Sequence, residues 1–243
     1  MPSSVNILVE KFYRSSYAAR ITLDGTPVLA EMVRKRLHQN ARVLDVGAGA
    51  GNSDTHPCKR NGSTLVGIDC SEDIVSNPHL DDHYVQDAEN MPFENESFDM
   101  VFSDFTFEHL AQPEKVVREI FRILKPNGTF IFRTVNAFHY VAVLSTITPD
   151  MFRPGIFKLL GRREEDSFPT LYRLNTKRKI ERVLHRNNFE IEEIKCVEGR
   201  PDYLRFSPTL FRLGIFYERL ANSSERWKSL RSNFLIAARK RSL

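Results

Sequence analysis

The stretch that most constrains this chain is Arg42 to Gly51, RVLDVGAGAG, an apolar run that passes into glycines at alternate positions. Val43, Leu44 and Val46 have the character of a buried strand, and Gly47, Gly49 and Gly51 follow as a turn. Only glycine reaches left-handed backbone angles cheaply, and without a Cβ it lets a ligand approach the main chain. A strand, a glycine turn and a helix start together aim backbone N–H groups at a small polar ligand. A second short run, Leu65 to Ile68, ends at Asp69, 22 positions beyond Gly47. An acid at the end of the second strand is placed to accept both hydroxyls of a ribose.

Three further segments fall in an ordered series. QDAENMPF occupies 86 to 93, SFDMVFSDFTFEHL 97 to 110, and LKPNGTFIFRT 124 to 134. With VLDVGAGAG at 43 to 51 and GIDCS at 67 to 71, the chain resembles the class I S-adenosylmethionine-dependent methyltransferases, of the type 11-like core, firmly over residues 40 to 135. The resemblance implies an α/β, Rossmann-like fold: a seven-stranded sheet of order 3-2-1-4-5-7-6 with strand 7 antiparallel. It also implies S-adenosylmethionine as cofactor and S-adenosylhomocysteine as product. By the same resemblance Asp45, Gly47, Ala48, Gly49 and Gly51 belong to cofactor binding, with Asp69 and Cys70 at the ribose. Asp87 would take the adenine amino group and the backbone of Ala88 a ring nitrogen, with Ser103 nearby; Tyr13 or Arg20 of the leading helices would touch the methionine end. A nicotinamide dehydrogenase shares this half of the fold, but its fingerprint wants glycine at position 52, where this chain has Asn52.

Composition narrows the class further. The chain has 243 residues, 41% apolar, enough for a sizeable core. No run of 18 uncharged apolar residues exists, so neither a transmembrane helix nor a signal peptide is expected, and Cys58, Cys70 and Cys196 lack metal-ligand spacing. A cytoplasmic protein without a metal is the expectation. The net charge of +4 conceals an asymmetry: residues 1–150 hold 14 Lys or Arg against 20 Asp or Glu, whereas residues 151–243 hold 21 against 11. The basic half favours an acceptor with phosphate or carboxylate, or contact with an anionic surface; a merely solvated basic face is the plainer alternative. No nucleic-acid signature is present, so no stable nucleic-acid partner is expected.

The chain divides on this reading into leading helices (1–40), a cofactor core (41–134), a lid or substrate insertion (135–175) and a C-terminal part (176–243) with a helical insertion near 203–222. A helix is expected over residues 5 to 19, and another from Pro27 with Thr26 as its cap. Asn52 to Gly62 has no apolar stripe, so the helix usual after the glycine turn should be short or irregular. Ser71 should cap a single turn over SEDIVS. A helix EKVVREIFRILK should stop at Pro126, with a strand over Thr129 to Thr134. Phe138, Val141, Ala142, Leu144 and Ser145 should line one side of a helix in the insertion. Thr176 should cap another helix, and Phe189–Val197 and Ser232–Ala238 should form the closing strand pair. Within 203–222, a lid helix is favoured over an amphipathic surface helix, although Arg205, Arg212 and Arg219 recur seven apart, leaving a weak peripheral membrane contact as the second reading.

Methyl transfer from a sulfonium needs donor and acceptor aligned, and a base where the acceptor must lose a proton. His139, His109 and Asp104 follow strand ends and are the candidates for that base. Tyr140, Arg162, Arg163, Tyr172 and Arg173 are the candidates for acceptor binding. The expected activity is transfer to a small-molecule or glycan-like acceptor, foremost at oxygen. Transfer to nitrogen or carbon, including a nucleic-acid base, and a non-catalytic cofactor-binding adaptor are the alternatives.

Overall fold

The structure is a computed structural model that describes residues 9, 12, 13, 25–51, 62–148 and 169–242. These fall into two compact units. The larger comprises residues 26–51, 62–135, 170–195 and 234–242, and the smaller comprises residues 9, 12, 13, 25, 136–148, 169 and 196–233.

The larger unit is organised by one sheet. β1 (Arg42–Val46) pairs in parallel with β2 (Thr64–Asp69) and with β4 (Phe98–Asp104), β2 with β3 (Asp82–Val85), and β4 with β5 (Leu124–Val135). With β6 (Phe189–Val197) and β7 (Asn233–Lys240) the order is β3-β2-β1-β4-β5-β7-β6, strand 7 running antiparallel, as expected from the sequence. Val43, Leu44, Val46, Leu65, Val66, Ile68, Val101 and Phe102 are buried, the pattern of central strands covered on both faces.

Helices follow from apolar spacing. In α2 (Pro113–Ile123), Val116, Val117, Ile120 and Ile123 form the buried stripe, Pro113 opens the helix, and Glu114 lies in its first turn. In α4 (Lys177–Arg186), Thr176 caps the start by accepting from the Lys179 N–H, and Ile180, Val183 and Leu184 face inward. The single turn Glu72–Ser76 is capped by Ser71. These three starts match the sequence expectations.

Other boundaries differ for identifiable reasons. α1 (Gly25–Arg36) begins before Pro27, and the Thr26 hydroxyl accepts from Arg133 Nη2 at 3.1 Å instead of capping. β5 starts at Leu124 rather than Thr129, and α2 ends at Ile123 because Leu124 is already extended. Asn127 at φ 63° carries the chain around a bulge between the pairs Phe98–Leu124 and Met100–Thr129, so PNG lies within the strand rather than before it. QDAENMPF is loop, since β3 ends at Val85.

In the smaller unit, α3 (Tyr140–Ile147) is two turns long with His139 at its cap. Ala142 is buried while Phe138 and Leu144 are exposed, so the one-sided stripe expected there is corrected to a single inward position. α5 (Pro208–Ser223) starts at Ser207, whose hydroxyl accepts from the Leu210 N–H, and packs Phe211 and Ile215 with Val9, Phe12 and Tyr13. The bulk of the helix expected over residues 5–19 and the irregular segment after the glycine turn lie outside the described residues.

Candidate active site

The glycine turn joins β1 to the residues that follow it. Gly47, Gly49 and Gly51 have φ of 79°, 48° and 72°, the left-handed region that penalises any side chain. Their surroundings differ. A Cβ on Gly47 would overlap the Thr106 side chain, and one on Gly51 would overlap Asn77. A Cβ on Gly49 would meet nothing within 4 Å. The turn is thus packed at its two ends and open at its middle, which leaves the backbone at Gly49 accessible.

Polar contacts fix this turn from three elements. The Gly47 N–H donates to Ile68 O at 2.8 Å, continuing the pairing of β1 with β2. Asn77 Nδ2 donates to Ala48 O and Gly49 O, each at 3.1 Å. Ser103 Oγ and Thr106 Oγ1 both donate to Val46 O, at 2.8 and 3.1 Å. The Ser103 hydroxyl is therefore directed into the sheet, where it secures the strand below the turn.

Asp69 reaches across from the end of β2. Its Oδ2 accepts from the Gly49 N–H at 2.9 Å and its Oδ1 from the Ser71 N–H at 2.8 Å. A carboxylate offers about four lone-pair sites, so two remain for hydroxyl donors. Cys70 beside it is an exposed free thiol held above its usual range by burial of the sulfur and by the Asp69 charge. Asp45 is buried in β1.

Asp87 begins the loop after β3, is exposed, and accepts from the Glu89 N–H at 2.8 Å through Oδ1. That loop is tied to α2 through the Glu119–Arg122 pair and by Lys115 with Glu89: Glu119 accepts from the Met91 N–H at 3.1 Å, Arg122 donates to Met91 O at 3.0 Å and Phe93 O at 2.6 Å, and Lys115 Nζ lies 3.7 Å from Glu89 Oε2. The Arg122 guanidinium hydrogen-bonds to Glu119 and holds its carboxyl below the usual range. Ala88, half-buried, is carried on the same loop.

The loop after β4 is more constrained than its sequence suggests. Arg133 donates through Nε and Nη2 to both oxygens of Asp104, each at 2.6 Å, and stacks over Phe105, which has φ 56°. Glu108, 3% exposed, accepts from Thr134 Oγ1 at 2.9 Å, and Asn175 Nδ2 donates to Thr134 Oγ1 at 2.7 Å. The Glu108 carbonyl also accepts from the N–H groups of Leu171 and Tyr172, at 2.7 and 3.2 Å. Burial raises the Glu108 carboxyl to about 7, the neighbouring Asp104 charge adding to the rise against the Thr134 hydrogen bond and Arg133. His109 is half-buried on this loop, its N–H donating to Thr106 O at 3.0 Å. Tyr172, at φ 50°, and Arg173, whose Nη1 donates to Ala111 O at 2.7 Å, complete the strap.

The remaining candidates lie in the smaller unit or outside the described residues. His139 is 5% exposed; its Nδ1 accepts from the Val141 N–H at 3.4 Å, and its Nε2 lies 3.2 Å from Glu198 Oε1. The first contact makes Nδ1 the acceptor, so Nε2 carries the proton and donates. Both ring nitrogens thus have structural partners, and Glu198 Oε2 accepts in turn from the Ser232 N–H at 2.6 Å. Replacing His139 with Ala is expected to destabilise the fold by about 1–3 kcal/mol, because it leaves the buried Glu198 oxygen without its donor; urea unfolding measures this. Tyr140 packs edge-on against Tyr217, and burial holds its phenol well above the ordinary range. The Tyr13 hydroxyl accepts from Arg200 Nη1. Arg20, Arg162 and Arg163 lie outside the described residues. Among the described residues no cluster of His, Cys, Asp and Glu could hold a metal.

The family model for a methyltransferase domain matches residues 44–132, from β1 to β5. Residues 44–132 thus carry a methyltransferase domain. Over 112 residues it is 32% identical to the malonyl-[acyl-carrier protein] O-methyltransferase of Enterobacter lignolyticus, a match covering 44% of each protein. Over 130 residues it is 36% identical to the sterol 24-C-methyltransferase of Clavispora lusitaniae, covering 49% of this chain and 34% of that protein. The match therefore spans less than half of either relative. In fold, the methyltransferase domain is similar to the geranyl diphosphate C-methyltransferase of Streptomyces coelicolor in complex with S-adenosylhomocysteine, with TM-score 0.55 and 16% identity over 88% of this chain and 79% of that one.

Among the residues that fix these loops, Asn77, Thr106, Arg133 and Asn175 were not singled out from sequence. Each acts through a contact remote in sequence, and no local pattern marks it. Asn77, next to Pro78 in a short linker, reads as an ordinary turn residue.

Proposed function

We propose that this chain transfers a methyl group from S-adenosylmethionine to a small-molecule acceptor. The observation that carries the reading is the glycine turn, open at Gly49 and packed at Gly47 and Gly51, with the Asp69 carboxylate bonded to its backbone. When bound, the sulfonium supplies an already activated methyl group. In this proposal Asp69 accepts the ribose hydroxyls with its two remaining lone pairs, the backbone of Gly47 to Gly49 bears on the methionine end, and Asp87 accepts from the adenine amino group. The Glu119–Arg122 pair keeps the Asp87 loop in place for that contact.

Transfer to oxygen remains the favoured reaction, supported by the O-methyltransferase relative; the sterol relative supports carbon transfer as the second reading. The Asp104 oxygens and the His139 nitrogens are engaged. An acceptor that ionises by itself, such as a carboxylic acid or a phenol, therefore suits the proposal better than a sugar hydroxyl, which needs a base.

Calorimetry tests the cofactor assignment. S-adenosylhomocysteine is expected to bind near 1 μM, about -8 kcal/mol, with NAD much weaker; the reverse order overturns the reading. Asp69→Ala is expected to weaken that binding by about 1.5–3 kcal/mol, from loss of charge-assisted bonds and of the Gly49 tether. Mass analysis of metabolite extract incubated with protein and methyl-labelled cofactor identifies the acceptor, and a label found solely in nucleic acid would remove the small-molecule reading.

A further inference from the structure

The helix α5 of the smaller unit is apolar on two opposite sides. Its inner side is filled by Phe211, Gly214, Ile215, Glu218 and Ala221, all buried. At about 100° per residue, Leu213, Phe216 and Leu220 fall within an arc of about 60° on the far side. They are 59%, 69% and 37% exposed. A water-facing helix side normally carries charged and polar residues, and three large apolar side chains in one stripe mark a contact surface.

The charges around that stripe indicate what covers it. Arg212 and Arg219 lie along one flank and are exposed. The turn that follows, Glu225–Leu230, adds exposed Arg226 and Lys228 and places Trp227, 43% exposed, at the end of the helix. Two acids lie between Arg205 and Lys228 in the sequence: Glu218, which is buried, and Glu225, which is paired with Arg231 at 2.8 Å. The outward face therefore combines an apolar ridge, basic flanks and a tryptophan, which is the chemistry of a helix lying in the headgroup region of an anionic bilayer. No described helix is long and apolar enough to cross a membrane, so the contact is of the surface kind.

We propose that the outer face of α5, with the turn carrying Trp227, docks this chain onto membranes rich in anionic lipid. Leu213, Phe216 and Leu220 enter the boundary between headgroups and acyl chains, and Arg212, Arg219, Arg226 and Lys228 meet lipid phosphates. A second copy of this chain or a protein partner on the same face is the competing occupant, but the face carries one exposed acid, Glu225, already paired with Arg231, against Arg212, Arg219, Arg226 and Lys228, which disfavours self-pairing.

Co-sedimentation with vesicles decides the matter. The protein is expected to pellet with phosphatidylcholine vesicles containing phosphatidylglycerol, and about tenfold less with phosphatidylcholine alone or at high salt. Leu213→Ser with Phe216→Ser, both at exposed positions, should lower vesicle binding about tenfold while leaving S-adenosylhomocysteine affinity unchanged. Arg212→Glu with Arg219→Glu should do so for anionic vesicles specifically. Binding indifferent to lipid charge, or to both variant pairs, overturns the proposal. So does absence of vesicle binding together with a dimer in solution that Phe216→Ser dissociates, since the face would then belong to a second copy.

Discussion

Replacing Gly47 with Ala is expected to abolish cofactor binding and to lower stability by about 3 kcal/mol. Two causes add. At φ 79° an alanine sits in the left-handed region, at a cost of about 1–2 kcal/mol. Its Cβ would also stand 2.8 Å from Thr106 Cβ, with the Thr106 hydroxyl closer still, and overpacking of this kind costs about 1–3 kcal/mol. For a chain of this length the sum corresponds to a fall of roughly 5–10 °C in melting temperature. The turn moves with Thr106, so the Asp69-bonded amide of Gly49 moves too. The two causes separate in a double variant. Measured against Thr106→Gly alone, which bears the loss of the Thr106–Val46 hydrogen bond, Gly47→Ala with Thr106→Gly lacks the overlap but keeps the backbone strain, and Gly47→Ala should there cost about half of what it costs in the wild type by calorimetric unfolding. A cost on the Thr106→Gly background of zero, or equal to that in the wild type, would mean that one cause was misassigned. By contrast Gly49→Ala meets no neighbour, so it should cost only the backbone strain while still impairing S-adenosylhomocysteine binding.

Glu108→Gln is expected to change how stability depends on pH. The carboxyl has an ordinary value of 4.5 and is raised by burial to about 7 in the fold. Below pH 4.5 both folded and unfolded chains hold the proton, and the contribution of this group to stability is fully present. As pH rises from 4.5 toward 7 the unfolded chain releases the proton while the folded chain retains it, so stability is lost with increasing pH, and the loss is complete above about 7. The span amounts to about 3 kcal/mol. Glutamine keeps an acceptor for Thr134 Oγ1 and cannot titrate. The stability of wild type relative to Glu108→Gln should therefore fall by about 3 kcal/mol between pH 4.5 and pH 8 in urea titrations. An unchanged difference would show that Glu108 ionises normally, and that the clasp through Thr134 and Asn175 does not depend on a neutral carboxyl.

Glu108 also shows what the sequence withheld. It stands out in FTFEHL as the acid beside His109, the more obvious candidate for proton transfer. Its neighbours in space are Thr134, Asp104 and the amides of Leu171 and Tyr172, residues up to 64 positions away in the chain. Nothing local marks that convergence. The strand order, by contrast, was legible through the family resemblance, which the series of motifs at strand ends carries. The left-handed backbone of Gly47, Gly49 and Gly51 was legible because a tight turn after a strand end demands it. The cap at Thr176 depends on a neighbour three residues away and was legible, and the stripe of α2 was legible in part: Val116, Val117 and Ile120 are buried, whereas Leu124 already belongs to β5. The error at β5 arose where PNG has two local solutions, a helix stop or a bulge inside a strand, and pairing with β4 selects the second. His139 illustrates the converse: its placement after a strand end suited a base, but its cap and Glu198 contacts become visible only in three dimensions.

The position of β7 bears on how the chain is made. It is the last strand in the sequence, yet it lies between β5 and β6 and supplies β6 with its partner in the sheet. Lys240 at its end, buried over the Phe121 ring with Nζ donating to Leu124 O at 2.6 Å, fastens it to the start of β5. Until Asn233–Lys240 has formed, β5 keeps an open edge and β6 has no neighbour in the sheet, and such edges invite pairing with other chains. Closure of the sheet consequently waits on Asn233–Lys240, and the nascent protein depends until then on whatever shields the unpaired strands in the cell.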